Sequence, residues 1–408
     1  MTRAAGLGPD ALRRSNLSTV LRLLHGRGSA TRAELTALTG LNRSTVAALV
    51  RELSDHGLVT EGDAVATGAP GRPSPMISVR PDRVAVLAVD IKVDSVAVAI
   101  MTLGGTRQSQ HRVRRDRRGT TVDDTLDVLE ELARASLDAL PRRQRLIGIG
   151  IAAAGLVRHP DGMVDLGPNL GWSQVPIGQL LKKRLHRRVP VTVGNDGDTG
   201  ALAERVHGAG RDVEHLIYLS GEIGVGGGII SSGRPLVGSI GYAGEIGHMT
   251  VDADGERCGC GSTGCWELLI GERAVLRATG RPDDGGRDAL TEMLIAAADG
   301  EREALRGLAE IGRWMGIGLA SLVNLFDPQR IVLGGLHAEL HPFLLDAAAR
   351  ELRSRSVVAT RTGAEIVPAA FGIDSSLVGA GEAALQALLD DPTGTSAPAP
   401  RVPVRSIS

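Results

Sequence analysis

An α/β protein, built from two strand-first subdomains behind a small winged helix-turn-helix head, is what this sequence predicts, on three observations. Three helical stripes and a hairpin fill residues 1–82, a strand-rich pattern starts at Val84 and a second at His215, and one glycine-rich loop, 244–267, gathers every cysteine of the chain. Two strand-first halves separated by a cleft make a hinge-closing architecture that takes its ligand between them.

The head comes first. Leu17, Val20, Leu21 and Leu24 repeat at the spacing of one helix face, and Gly26 and Gly28 stop that helix. Thr31 and Glu34 form a capping box opening a short second helix, with Leu35 and Leu38 inward and a break at Gly40. Asn42 caps a third helix whose inward stripe is Val46, Leu49, Val50 and Leu53, which leaves Arg43, Ser44, Thr45, Ala47, Ala48 and Arg51 facing out. A small, polar, basic face at the start of a helix that follows a tight turn suits a DNA major groove, although generic three-helix packing yields the same stripes. Leu58-Val59-Thr60 and Met76-Ile77-Ser78-Val79 pair as a wing whose tip, Gly71-Arg72-Pro73, offers Arg72 to a minor groove or to a phosphate. The candidate DNA contacts are therefore Asn42, Arg43, Ser44, Thr45, Arg51 and Arg72. Residues 1–80 carry ten arginines against six acids in a chain of net charge -1, so a basic head sits on an acidic body.

From Val84 the pattern changes. VAVLAVDI and SVAVAIMTL read as paired strands, a third strand follows Gly104-Gly105 across 107–113, and 122–139 has helical spacing. LIGIGIAAAG at 146–155 is a buried strand, and VPVTVGNDGD at 189–198 delivers Asn195 and Asp196 from a strand end, where open α/β sheets hold their ligands. The second half opens with HLIYLS at 215–220 and the glycine-rich GVGGGII. After the cysteine loop come three helical stretches, the longest about 301–326, then the strand RIVLGG at 330–335 and closing helices to 389. Residues 390–408, rich in Pro, Ser, Thr and Ala, read as a disordered tail. The domains expected are thus 1–82, 83–389 and the tail 390–408.

The loop carries the clearest chemistry. His248, Cys258, Cys260 and Cys265 offer four ligands for a closed tetrahedral shell, the preference of structural zinc, at one ion per chain. Gly259, Gly261 and Gly264 allow the tight folding that brings them together. A closed shell activates no water, so the ion's part is to hold His248, Glu245 and Glu267 rigid. By residue type alone those two glutamates read equally as contacts to a polyhydroxylated ligand or as solvated surface charges.

Composition agrees with a soluble protein of reducing surroundings. Of 408 residues 42% are hydrophobic, no apolar run approaches the ~20 that a membrane span needs, and no signal-peptide apolar region is read. Three cysteines given to a metal leave none for disulfides, which points to the cytoplasm. Aromatics, at 2%, are too few for a single-strand stacking surface.

The run Cys258-Gly-Cys260-Gly-Ser-Thr-Gly-Cys265-Trp-Glu267 behind His248 resembles the signature of the ROK family (repressors, open reading frames, kinases). The resemblance covers 84–389 and implies an actin-like, sugar-kinase (ASKHA) fold; with the winged head, the chain resembles the family's sugar-responsive repressors, those of xylose and N-acetylglucosamine among them. It implies sugar contacts from Gly155, Asn169 with Leu170, Gly171 and Trp172, Asn195, Asp196, Glu245, His248 and Glu267, Asp196 being the base in the kinases. That favours the ligand-facing reading of both glutamates. The kinases carry Asp-Ile-Gly-Gly-Thr where this chain has Asp90-Ile91-Lys92-Val93-Asp94, so side chains replace two glycines and Asp94 adds charge facing phosphate. Gly224 to Gly228 and Gly334-Gly335 still resemble the family's second phosphate loop and nucleotide segment. The expectation is a dimeric, or tetrameric, cytoplasmic and nucleoid-bound repressor of carbohydrate-metabolism genes that binds operator DNA and a sugar effector, with Asp196 a vestigial base; the rival is an ATP-dependent sugar kinase bearing a DNA-binding appendage.

Overall fold

The computed structural model describes residues 8–65, 74–115 and 120–394. The head consists of α1 (Pro9–Arg27), β1 (Ser29–Thr31), α2 (Arg32–Thr39), α3 (Arg43–Asp55), β2 (Val59–Val65) and β3 (Ser74–Val79). Both caps read from the sequence form. The Thr31 and Glu34 side chains close the capping box of α2, and Asn42 accepts the Thr45 amide at 2.8 Å. Val46, Leu49, Val50 and Leu53 are buried, Arg43, Ser44 and Arg51 exposed. β3 lies between β1 and β2, both antiparallel to it. The wing tip with Arg72 lies outside the described residues.

The first subdomain runs through β4 (Val84–Ile91), β5 (Ser95–Thr102), β6 (Arg107–Arg114), α4 (Val122–Asp138), β7 (Arg145–Ala153), β8 (Leu156–Arg158), β9 (Met163–Gly167), β10 (Trp172–Val175), α5 (Ile177–Arg184), β11 (Val191–Asn195) and α6 (Asp196–Val206). The second holds β12 (Leu216–Gly221), β13 (Val225–Ser231), β14 (Arg234–Pro235), α7 (Glu267–Ile270), α8 (Glu272–Ala278), α9 (Gly286–Ala298), α10 (Arg302–Phe326), β15 (Arg330–Gly335), α11 (Leu336–Arg355), α12 (Ala359–Thr362) and β16 (Glu365–Pro368), before α13 (Ser375–Asp390). The two five-stranded sheets share one topology: β11-β7-β4-β5-β6 matches β16-β15-β12-β13-β14, each with two parallel neighbours on one side of its first strand and an antiparallel pair on the other. The parallel strands β4, β7 and β11 all end at the cleft, which is how Lys92, Gly155 and Asp196 come to face it.

Four departures from the sequence reading have physical reasons. β8, β9 and β10 make a separate small sheet, because their short runs lack the length and alternation of a core strand. Four helices rather than three follow the cysteine loop, since the single turn α7 is too short to show periodicity. α13 returns to the first subdomain and packs on β4 and β7, where a Cβ at Gly150 would lie 1.8 Å from the Ala380 carbonyl. The disordered tail was expected from residue 390, yet α13 includes Asp390, Asp391 and Pro392 are buried, and Asp391 accepts from the Thr393 hydroxyl at 2.9 Å; residues 395–408 lie outside the described residues. One apolar core joins the head's Leu17, Leu21 and Leu24 to α13 and to one face of the first sheet, so α1 is packed on the body rather than tethered to it.

Candidate functional site

Eight of the ten sugar-contact candidates line one cleft of about 790 Å³ between the subdomains, Gly155, Asn169, Leu170, Asn195 and Asp196 from one side and Glu245, His248 and Glu267 from the other, whereas Gly171 and the buried Trp172 lie outside its lining. Gly155 has φ +117°, and a Cβ there would lie 2.5 Å from the Leu166 carbonyl oxygen, so the wall admits only glycine. Asn195 is largely committed to structure. Its Oδ1 accepts the Gly197 amide at 2.7 Å and the Asp198 amide at 3.2 Å, capping α6, while Nδ2 donates to the Gly155 carbonyl at 2.9 Å. It thereby fixes both Gly155 and the neighbouring Asp196. Asn169 and Glu267 both close on Gly224, where an added Cβ would lie 3.3 Å from Asn169 Nδ2 and 3.0 Å from Glu267 Oε2.

Negative charge dominates the inner cleft. Burial, with Asp196 and Glu267 adding repulsion, pushes the Glu245 carboxyl up to about 7. Burial also pushes Asp198 up to about 7, helped by Glu245 and Asp196, and its buried Oδ1 has no hydrogen-bond partner. Asp196 is raised by burial and by Asp90, against the pull of Lys92. A carboxyl whose folded value is raised stabilises the fold at low pH, and that contribution is lost as pH rises through the folded value. For Glu245 the window runs from its ordinary 4.5 to about 7. The ligand-free protein should therefore melt at progressively lower temperature across that window, and Glu245→Gln should flatten the slope; a variant with the wild-type slope would show that Glu245 is not strained.

Lys92 answers this charge from the first subdomain. Its ammonium is buried and forms an ion pair across the cleft with Glu222, which the sequence reading missed. Burial alone would lower it, but Glu222, Asp90 and Asp196 together hold it above its ordinary value. The Lys92 amide donates to the Ser95 carbonyl at 2.9 Å, and Arg115 donates to the Lys92 carbonyl at 2.6 Å, so this turn is closed on itself. The backbone N–H of Lys92 is thus taken up within the turn, and its ammonium is paired with Glu222.

The metal candidates also converge. The ligand atoms of His248, Cys258, Cys260 and Cys265 lie within 4.8 Å of one another. A tetrahedral ion with bonds of about 2.0–2.3 Å sets neighbouring ligands roughly 3.5–3.8 Å apart. Cys260 Sγ is 3.6 Å from Cys265 Sγ, and Cys258 Sγ is 3.8 Å from His248 Nδ1, so the four residues fit a metal ion. Gly264 has φ +69°, and a Cβ there would lie 1.5 Å from the Asp252 carbonyl; nothing crowds Gly259, so its expected role in the fold of the loop falls away. The loop is anchored by the fully buried Trp266, whose Nε1 donates to the Trp314 carbonyl of α10 at 2.9 Å. Glu267 accepts the Cys258 thiol at 2.9 Å, which ties the cluster to the cleft wall.

In the head, Arg43 and Arg51 project into solvent from α3. Asn42 and Ser44 are bonded to each other at 2.7 Å within the cap, so their first duty is to the helix start.

A winged helix-turn-helix head carried on an actin-like, sugar-kinase body is the class that this fold and cleft define. The chain belongs to the ROK family, which it matches over residues 86–387, and it matches the IclR helix-turn-helix domain over residues 15–63. It is 29% identical to the xylose repressor of Bacillus spizizenii over 383 residues, 93% of this chain and 97% of that protein. It is 31% identical to a glucokinase of Streptomyces coelicolor over 315 residues, 73% of this chain and 96% of that one. A crystal structure of a ROK family transcriptional regulator, a homologue of the E. coli MLC protein, superposes with a TM-score of 0.75 at 26% identity, covering 93% of this chain and 98% of that chain. Among the described residues no helix is long and apolar enough to cross a membrane.

Proposed function

We propose that this chain is a sugar-responsive, DNA-binding repressor of carbohydrate-metabolism genes, in which ligand binding in the cleft changes operator affinity. The observation that carries the reading is the Lys92–Glu222 pair. It leaves the polar sugar-facing wall in place while filling the phosphate side of the cleft with a closed turn and a carboxylate, on a chain that also presents an exposed α3. The relatives named repressors support it through the head they share with this chain; the glucokinase matches the body alone.

The sugar's hydroxyls would be held by Asp196, Glu245 and Glu267, with Asn169 closing over it and Asn195 keeping Asp196 in place. The cluster of His248, Cys258, Cys260 and Cys265 would hold one structural zinc, which makes the loop rigid and keeps His248 on its Nδ1 side turned to the thiolates. Phosphoryl transfer is positioning and charge stabilisation, and Asp94, Glu222 and the closed turn at Lys92 oppose both, so Asp196 is a base without a reaction. The protein would act as a homodimer in the bacterial cytoplasm, two heads meeting two half-sites.

The head is tested by substitution. Arg43→Ala should cost about 1–3 kcal/mol of operator binding and relax specificity at one position if it reads a base, whereas Arg51→Ala should chiefly reduce the salt dependence if it meets a phosphate. Operator binding by the double variant equal to wild type at every salt concentration would remove α3 from the interface.

A further inference from the structure

A second cluster of titratable side chains sits where the head meets the body. His25, in the last turn of α1, reaches Glu382 of α13 through Nε2 at 2.8 Å. His207, the residue that ends α6, reaches the other oxygen of the same carboxylate at 2.9 Å. Glu382 is completely buried and His25 nearly so. The turn between β5 and β6 closes the cluster: the Gly104 amide donates to His25 Nδ1 at 2.9 Å, and Gly105, at φ +71°, leaves room that a Cβ would take, 2.6 Å from His207 Nε2.

These three side chains have the composition of a metal site, and their ligand atoms are close enough for one. The hydrogen bonds point elsewhere. Because Nδ1 of His25 accepts a backbone N–H, the proton of its neutral ring must sit on Nε2, which then has no lone pair for an ion and donates to Glu382 instead. Both imidazoles therefore serve one carboxylate, whose acidity burial would weaken but which these two neighbours hold below its ordinary value.

The position of the knot gives it a consequence. α6 starts at Asp196 in the cleft and ends at His207, about 16 Å away at 1.5 Å per residue. It is bound to α13 along its length. Glu204 accepts the Ser375 hydroxyl at 2.8 Å and the Phe371 amide at 3.1 Å, and a Cβ on Gly379 would lie 1.7 Å from the Thr199 carbonyl. The two helices thus form one rigid unit with the cleft at one end and α1 of the head at the other. Arg22 adds contacts from α1 to Gln386 at 2.8 Å and Asp390 at 2.6 Å on α13.

We propose that the His25–Glu382–His207 knot is the latch that holds the DNA-binding head to the body, and that α6 with α13 is the lever that links this latch to the ligand cleft. The latch rests on the geometry alone; the lever's regulatory meaning rests on the repressor reading.

Amide hydrogen exchange on the full chain tests the latch without any ligand. His207→Ala should raise exchange of the α1 amides by about tenfold or more, the cost of leaving one side of a buried charged network unpaired, while β4, β7 and β12 keep wild-type protection. His207→Gln, which can still donate to Glu382, should restore much of that protection. Unchanged α1 exchange in His207→Ala, or a loss spread evenly over the body, would overturn the latch. The lever is read from the ratio of operator affinities with and without D-xylose, using a fragment selected with the wild-type protein. The ratio should collapse towards one in His207→Ala, and a ratio kept at the wild-type value beside a loosened head would overturn the lever. A wild-type chain that binds no operator would instead count against the repressor reading, with the latch judged on exchange. A second metal ion per chain that is lost in His207→Ala would also overturn the latch, since the knot would then be a metal site.

Discussion

Cys260→Ser is expected to abolish the zinc binding proposed for the loop and to weaken sugar binding by about ten- to a hundredfold, the range seen when residues supporting a metal site are lost. Cys260 is the exposed member of the cluster, so its replacement disturbs no core packing. What it removes is the fourth bond of a shell in which the remaining ligands, two buried thiols and His248, come from both ends of the loop. The cleft feels the loss through Glu267. Its Oε1 lies 2.9 Å from Cys258 Sγ. A metal-bound cysteine is a thiolate and cannot donate, so with an ion held in the loop this carboxylate would be left to accept a sugar hydroxyl. Operator affinity without sugar should stay within about twofold, because the head is distant and shares no partner with the loop. Elemental analysis alongside calorimetry checks the result; full zinc content with lost sugar affinity, or lost zinc with full affinity, would break the link.

Asp196→Asn is expected to weaken sugar binding by about ten- to a hundredfold, since a carboxylate accepting hydroxyls contributes roughly 1.5–3 kcal/mol as a charged hydrogen bond. The exchange keeps the shape of the side chain and the Asn195 cap at the start of α6. It removes the acceptor strength that a raised, buried carboxylate offers once a ligand covers it. No turnover should be lost with it. Incubation of the wild type with magnesium ATP and the stabilising sugar should yield no sugar phosphate, because the ammonium that would have to meet the phosphates is paired with Glu222. Sugar phosphate that forms in the wild type and disappears in Asp196→Asn would make the protein a kinase with a DNA-binding appendage.

What was legible in the sequence is what lies close along the chain. The caps at Thr31 and Asn42 involve partners three residues apart, and the four cluster ligands fall within one loop, so residue type and spacing were enough. The face of α3 was legible because burial repeats with the helix. The Lys92–Glu222 pair joins positions 130 residues apart, and His25 meets Glu382 across 357. Periodicity reports that a residue is buried but carries no record of what covers it. For the same reason α13, apolar on most of its surface, gave no sign that it would leave the second subdomain and pack against α1, β4 and β7. Asn195 was legible as one of a polar pair at a strand end, while its commitment to the α6 cap appears only from its hydrogen bonds.

The most direct measurement takes the full chain, an operator fragment selected from genomic DNA by the protein itself, and a sugar chosen by thermal shift from a panel that includes D-xylose. Operator affinity is titrated with and without that sugar at fixed salt. The expected result is a specific site whose dissociation constant changes by about tenfold or more when the sugar is present, a coupling of at least ~1.4 kcal/mol between cleft and head. Binding that ignores DNA sequence, or a specific site whose affinity is the same at saturating sugar as without it, would contradict a sugar-responsive repressor.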